Sequence, residues 1–290
     1  MKNRMTVNMD DVSKPYLEKL YSTVLGRVFL KILISPIVSK FVGFCLDRKI
    51  SKVLIPGFIR NNHIDIALYE DREYTSFNDF FTREKKSEYK TFNEDRNVFI
   101  SPCDAYLSVY QLNEKNSFKI KNVIYSVDSL IEDDKAADEF KDGLCLIFRL
   151  SVDDYHRYCY VDSGYKSDNH YIKGVLHTVQ PIAVVGEKAL VKNSREYTFL
   201  FTDNFGKIVQ VEIGALLVGR IKNHHNAQVI IKGQEKGFFE YGGSTIVLLL
   251  KKDVLIVDNE LLENSSKGIE TKVKYGESIG VSPKYNKPIF

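Results

Sequence analysis

Three short segments of the 290-residue chain hold residue types able to do chemistry. The first is Glu240-Tyr241-Gly242-Gly243-Ser244-Thr245, a hydroxyl nucleophile preceded by two glycines and followed by the apolar run Ile246–Leu250. The glycines free the backbone before Ser244 to take strained or positive-φ angles that a Cβ would forbid. Taken alone, a flexible turn entering a strand is the plainer reading of this segment. The second is Ser101-Pro102-Cys103-Asp104-Ala105, set between two strand-like stretches. An Asp after Pro in a turn is ordinarily turn chemistry. The third, Asp153-Asp154-Tyr155-His156-Arg157, follows an apolar strand ending at Leu150. A histidine at a strand end could act as a base, although most such histidines are surface or hydrogen-bonding residues.

Common catalytic signatures are absent. No G-x-S-x-G, Walker A, G-x-G-x-x-G, H-E-x-x-H or paired Cys/His zinc pattern occurs, so no metal is expected. The adjacent His224-His225 suit a loop better than a metal site. Nothing suggests base-stacking aromatics interleaved with a basic patch, and nucleic acid is not an expected partner.

These segments need elements to position them. With 44% apolar, 27% charged and 12% aromatic residues, the composition is that of a globular chain and excludes disorder, collagen-like repeats and a disulfide-held mini-protein. Cys45, Cys103, Cys145 and Cys159 show no disulfide-like spacing. With no recognisable signal peptide, a reducing, cytosolic setting is expected. Residues 12–60 read as helical: Leu17, Leu20, Tyr21, Val24 and Val28 share one helix face, with Ser13 as N-cap and Pro15 in the first turn. Pro36 breaks that pattern, and a second helix runs on towards Lys49. Ser76–Arg83 suggests a capped helical turn. From Val98 onward the chain turns mostly to strands, including Leu144–Leu150 and Tyr197–Phe201. Hairpins are expected at Asn204-Phe205-Gly206, between Thr198–Thr202 and Lys207–Ile213, and at Lys251-Lys252-Asp253, between Ile246–Leu250 and Val254–Val257. One helix, about Val127 to Phe140 with Ser126 as N-cap, interrupts the strands. The fold class is therefore α+β: N-terminal amphipathic helices on a β-rich, sandwich- or barrel-like domain.

Charge is unevenly spread. Between Val12 and Arg60, nine basic residues face two acidic ones, a local +7 in a chain of net +3, which leaves −4 elsewhere. Such asymmetry points to an anionic partner. The longest uncharged stretch in this apolar region, Ile32 to Ser39, is 8 residues, against the ~20 that span a bilayer. No transmembrane helix is expected.

The three segments, taken with others in order, resemble the phosphatidylserine decarboxylases, a family of self-processing pyruvoyl enzymes. The likeness covers most of the chain from Tyr74 to Val281. Ser76–Arg83 resembles the family's S-F-N-x-F-F-x-R, and Ser101–Ala105 its S-P-x-D-G. Phe148–Arg157 is similar to F-R-L-x-x-x-D-Y-H-R, and Gly174–Ala183, which contains His177, to the G-x-L-x-x-V-x-P strand. Val211–Ile221 is similar to V-x-V-G-A-x-x-V-G-x-I, and Gly237–Thr245 to G-x-F-x-x-G-G-S-T. The basic N-terminal helices resemble those of the longer bacterial subgroup. Singly these motifs are weak; six in order are specific.

The resemblance implies a catalytic domain over 76–290 and a helical, membrane-associating region over 1–75. It implies that Ser244 attacks the carbonyl of Gly243, that the chain divides into a β chain of 1–243 and an α chain of 244–290, and that Ser244 becomes a pyruvoyl group with no added cofactor. By the same analogy His156 is the base and Asp104 its orienting partner, with Cys159, Tyr155, Thr245 and His177 as supporting residues. The implied reaction is decarboxylation of phosphatidylserine to phosphatidylethanolamine through a Schiff base to the pyruvoyl group, with His156 returning a proton. The implied setting is the cytoplasmic side of the cell membrane, bound peripherally to an anionic surface; the two chains stay associated, and a homodimer is admitted. Two positions depart from the pattern. Cys159 stands where many members have a second histidine, and Ala105 replaces the usual glycine. Three alternatives remain at this point. One is a non-catalytic binding module like the biotinyl and lipoyl β-sandwiches, which Val273–Gly280 resembles, although no M-K-M or D-K-A carrier motif occurs. The second is a serine hydrolase using the same trio, although Ser244 precedes a strand and not a helix. The third is a related decarboxylase with another amine substrate.

Overall fold

In the computed structural model, which describes residues 4–11, 15–216, 220–241 and 244–284, the strand Ser244–Leu250 is buried along its whole length. A short, continuous Ile/Val/Leu run suits an interior strand. Both of its edges are taken, by Leu144–Leu150 on one side and Gly206–Ile213 on the other, each antiparallel. From that centre a ten-stranded sheet extends through Ala105–Gln111, Ile269–Val273 and Thr6–Asn8 on one flank. On the other flank lie Arg195–Thr202, Gly164–Lys166 and Gln228–Ile230, with His170–Ile172 also pairing to Arg195–Thr202.

Side chains alternate across this sheet, and each face has its own core. Ile246, Leu248 and Leu250 pack with Phe148, Leu150, Tyr155 and Tyr158 in the first. Val247 and Leu249 pack with Ile147, Val209 and Val211 in the second. The first core is closed by two small sheets: Ile221–Asn223, Glu235–Phe239 and Arg157–Cys159, and Ile256–Val257, Ser278–Val281 and Val98–Ile100. The hairpin Ser117–Ile120/Val123–Ser126 and the short helices after it close the second. The α+β class with a β-rich domain stands.

Two expected elements differ. Ile246–Leu250 and Val254–Val257 do not form a hairpin. With both edges of the central strand occupied, Ile256–Val257 pairs instead with Ser278–Val281 in a separate sheet. The helix expected over Val127–Phe140 is broken into Val127–Ile131, Asp134–Ala137 and a 3-10 turn at Asp138–Phe140. Glu132 adopts the left-handed conformation, and Asp133 caps the restart by accepting from Ala136 N–H. Ser126 sits at the first N-cap but makes no side-chain capping bond.

The N-terminal helices are α1 (Pro15–Ser22), α2 (Val24–Leu33), α3 (Pro36–Leu46), α4 (Ile55–Asn61) and α5 (Phe77–Phe81). Ser13 lies outside the described residues. The helix face expected from Leu17 to Val28 is split at Thr23, whose Oγ1 accepts from Gly26 N–H at 3.0 Å and starts α2. Leu17 is therefore buried, while Val24 and Val28 point outward. Ser76 caps α5 as expected, accepting from Asp79 N–H at 3.1 Å. The helices are tied to the β-rich domain: Thr178 N–H donates to Tyr21 Oη at 3.1 Å, and Leu176 N–H to the Ile34 carbonyl at 3.0 Å.

Along α2, α3 and the turn that follows, Leu25, Phe29, Ile32, Ile37, Phe41, Phe44, Ile50 and Val53 are all exposed, beside Lys31, Lys40 and Lys49. Among the described residues no single helix is long and apolar enough to cross a membrane; α2 and α3 pass that test only together, and they are bent by 65°.

Candidate active site

Register fixes where the serine looks. Ser244 lies opposite Leu150, and Thr245 opposite Arg149. Alternation along the strand then puts the Ser244 side chain on the face of the first core. Thr245 projects to the other face, where it lines a cavity with Arg149, Val179 and Val184. Both hydroxyls are buried, and among the described residues neither has a hydrogen-bond partner. Buried polar atoms are usually paired, and here two adjacent hydroxyls are left unpaired at the start of the strand. Gly242 and Gly243 lie outside the described residues.

The strand ending at Leu150 turns sharply into His156. Asp154 holds the turn, accepting from Ser151 N–H at 2.8 Å and from the Lys272 ammonium. His156 is buried, its ring centroid 4.3 Å from that of Phe81. Its carbonyl accepts the N–H of Phe239 at 2.9 Å. Phe239 and Ser244 are thus both tied to one stretch of chain, Phe239 to His156 and Ser244 to Leu150.

The tautomer follows from the partners. His156 Nδ1 lies 2.9 Å from the Asp154 carbonyl oxygen, which can only accept, so Nδ1 carries the hydrogen. The lone pair is then on Nε2, which is buried and, among the described residues, without a partner. Burial pushes the imidazole down to about 3, so it is neutral at physiological pH. A neutral imidazole with an unshared lone pair can accept a proton, and a value near 3 makes it a weaker base than one poised near neutrality.

Asp104 occupies a different position from the one expected. It is buried, and its carboxylate accepts from Lys85 Nζ at 2.9 and 3.1 Å and from Tyr275 N–H at 2.7 Å. Burial alone would raise its pKa, but Lys85, Lys274 and the Tyr275 N–H outweigh it and keep the carboxyl below its ordinary value. Asp104 is expected to orient His156, but among the described residues no hydrogen bond joins them; the Asp154 carbonyl, accepting from Nδ1–H, orients the ring. Asp104 reaches the same neighbourhood through Lys85, whose Nζ lies 4.6 Å from the centroid of the Tyr155 ring. The two segments are also joined directly, Cys159 N–H donating to the Pro102 carbonyl at 2.9 Å.

The remaining candidates divide. Cys159 is fully buried, and that burial pushes its thiol up to about 12, so it stays protonated at neutral pH and holds no charge with which to act as a base. Tyr155 is part of the first core, and burial raises its hydroxyl pKa strongly. His177 is engaged with α1: its Nδ1 meets Tyr21 Oη at 3.3 Å, and its N–H donates to Asn193 Oδ1 at 2.8 Å. Sequence reading passed over Lys85, Asp154 and Asn78. Asn78 sits inside the Ser76–Arg83 motif and accepts the N–H of Tyr241 at 3.0 Å through Oδ1. Its place in that motif was the only signal, and a motif does not say which atom a side chain holds.

The family model described as phosphatidylserine decarboxylase matches residues 77–281. Similar proteins include phosphatidylserine decarboxylase proenzyme 2 of Clostridium acetobutylicum, 47% identical over 95% of this chain and 98% of that protein. The phosphatidylserine decarboxylase proenzymes of Clostridium botulinum and Clostridium perfringens are 38% and 40% identical, over 96% and 91% of this chain and 97% and 92% of theirs. A match over that span, carrying the serine, aspartate and histidine segments in one folded unit, leads to one conclusion: the chain belongs to the phosphatidylserine decarboxylase family of carboxy-lyases.

Proposed function

We propose that the chain is a proenzyme that cleaves itself at Gly243-Ser244 and then decarboxylates phosphatidylserine to phosphatidylethanolamine. The observation that carries this reading is the pair of unpartnered buried atoms, Ser244 Oγ and His156 Nε2, on chain segments bonded to each other. His156 Nε2 takes the hydroxyl proton, and Oγ attacks the Gly243 carbonyl carbon. The amide becomes an ester and residue 244 gains a free amino group. Loss of the Cα proton expels the Gly243 carboxylate and leaves a dehydroalanine. Water replaces its nitrogen, releasing ammonia and leaving a pyruvoyl group at the head of a 47-residue chain.

The residues fit such a group. It would arise inside the fold, at the buried end of a strand with neighbours on both edges, where its carbonyl meets little bulk water. It supplies an electrophilic carbonyl that takes the substrate amine as a Schiff base and accepts the electron pair left by carbon dioxide. An apolar surrounding disfavours the departing carboxylate relative to the less charged transition state, and Phe81 and Leu150 contribute to it. His156 is the residue we assign to return the proton. The 244–290 chain stays with its partner because its first strand is held between two strands of the other product.

Access to a lipid head group requires a membrane surface. We assign that role to α2, α3 and the turn after them, with apolar side chains entering the interface and lysines beside anionic head groups. We propose accordingly that the protein binds peripherally, on the cytoplasmic side. The test combines Ser244→Ala with a lipid assay. The wild-type protein should convert phosphatidylserine in vesicles to phosphatidylethanolamine, and the variant should neither divide nor decarboxylate. A divided, active Ser244→Ala protein would sink the proposal.

A further inference from the structure

The stretch just before the cleavage point is gripped by side chains from distant parts of the chain. Asn78, on α5, is buried and bridges two partners: Oδ1 accepts from Tyr241 N–H at 3.0 Å, and Nδ2 donates to Asp47 Oδ1 at 2.8 Å. Asp47 is the residue that ends α3. Its other oxygen accepts from Arg220 Nη1 at 3.0 Å. Arg220 forms an ion pair with Glu240 at 2.8 Å, and its carbonyl accepts the Glu240 N–H at 3.2 Å. The circuit closes, since Glu240 and Tyr241 are consecutive. Gly43 leaves room for it, because a Cβ there would come within 2.8 Å of Arg220 Nη2. The Tyr241 ring is pinned as well, at 5.1 Å from Phe77 and 5.2 Å from Phe81, and the Phe81 ring also packs, tilted, against His156.

We infer that Asn78, Asp47 and Arg220 are positioning residues for self-cleavage, a clamp that holds Glu240-Tyr241 so that the Gly243 carbonyl is presented to Ser244 Oγ. The inference rests on the self-cleavage reading above. Glycine constrains the backbone less than any other residue, so the sequence Gly242-Gly243 does not by itself fix the direction of the scissile carbonyl. An attack within one chain is fast only when the reacting atoms are held close together and aligned. The β-strand fixes the nucleophile; the clamp fixes what it attacks. Because Asp47 also terminates α3, the arrangement of the exposed apolar helices and that of the cleavage segment share one carboxylate.

The chemistry of the Asn78–Asp47 contact supplies a test that a general loss of structure would not mimic. Asn78→Asp puts two carboxylates in contact, keeps the acceptor for Tyr241 N–H and opens the circuit. Adding Asp47→Asn reverses the amide and the carboxylate and closes it again, with the new amide oxygen still accepting from Arg220. Each protein is made by translation in vitro, and its division into 1–243 and 244–290 is followed on denaturing gels. Asn78→Asp should divide at least about tenfold more slowly, the loss expected when a reacting carbonyl is poorly held, and the double exchange should recover to within about threefold of wild type. Asp47→Ala, at a half-exposed site that does not threaten folding, should also divide more slowly. Thermal melts are run in a Ser244→Ala background, where no division occurs. Slow division with an unchanged melt identifies positioning. Wild-type rates in Asn78→Asp and Asp47→Ala, or a double exchange as slow as the single, would overturn the inference. A wild-type chain that never divides would overturn the self-cleavage reading beneath it.

Discussion

The N–H of Phe239 donates to the carbonyl of His156 at 2.9 Å. This bond joins the chain five residues ahead of the proposed nucleophile to the residue assigned as its base, so neither can shift without the other. Ser244 is held in turn opposite Leu150, six residues before His156. Catalytic distances built this way depend on β-pairing, which is cooperative and stiff, and not on the loop between.

His156 should leave a mark on stability against pH. The unfolded chain takes a proton at this residue near the ordinary value of 6.5, the folded chain only at about 3. Between those limits the unfolded state binds more protons, so folding weakens as pH falls. In the Ser244→Ala proenzyme, urea unfolding at pH 7.5 and pH 5 should differ by about 2 kcal/mol from this residue. His156→Gln should remove that part of the slope. An unchanged slope would mean that the imidazole is already charged in the folded protein.

The same neutrality governs the rate of division. Since burial keeps the imidazole unprotonated down to about 3, the self-cleavage rate of wild-type protein should be nearly flat between pH 5.5 and pH 8. A rate that falls through a midpoint near 6.5 would show a solvent-exposed base and move the role away from His156.

Cys159 stands where many family members place a second histidine, yet burial drives its thiol up to about 12. Cys159→Ala should therefore divide at a rate within about threefold of wild type and lose only about 1 kcal/mol of stability, the scale of one small buried group. Loss of division with an intact fold would give the thiol a chemical role.

Lys236 and Glu212 form an ion pair at 2.8 Å with both side chains fully buried. Asn223 bridges them, accepting from Lys236 Nζ at 2.7 Å. Glu212 lies opposite Ile246, two residues along from Ser244 on the same sheet face. Lys236→Met strands the carboxylate and should cost about 3–5 kcal/mol, whereas Lys236→Met with Glu212→Leu should recover most of that. Chemical denaturation of the Ser244→Ala background measures both, and a double variant no better than the single would refute the pairing argument.

Membrane docking makes a separate demand. Lys31 and Lys40 are exposed beside Phe29, Ile32 and Phe41. A basic residue near an anionic surface contributes ~1 kcal/mol, so replacing both lysines by Gln should weaken binding to phosphatidylserine-rich vesicles by about 30-fold at low salt. Cosedimentation reads this directly. Equal binding would assign the exposed apolar face to another partner.

Much of the chemistry was legible in the sequence because it is local. Ser76 caps its helix, the turn at Asn204-Phe205-Gly206 joins two paired strands, and Ser244 opens a buried strand, all from neighbouring residue types. What was not legible is long-range pairing. The run Ile246–Leu250 has the same composition whether it folds back on Val254–Val257 or lies between two other strands, and only the occupied edges decide. The left-handed Glu132 ends a helix that composition would have continued. Asp104 was singled out by its motif, but its partner Lys85 is one lysine among many and 19 residues away. The clamp draws on Asp47, Asn78 and Arg220, which no periodicity connects.

The central claim is that the chain converts its own Ser244 into the reactive group, and intact mass of freshly purified protein under denaturing conditions tests it most directly. The account predicts two chains, 1–243 and 244–290, with the smaller lighter by one ammonia than a 244–290 fragment beginning in serine, and carrying a ketone that reacts with hydroxylamine. A single uncut chain that nevertheless decarboxylates phosphatidylserine, or a 244–290 fragment with an ordinary serine at its head, would contradict it.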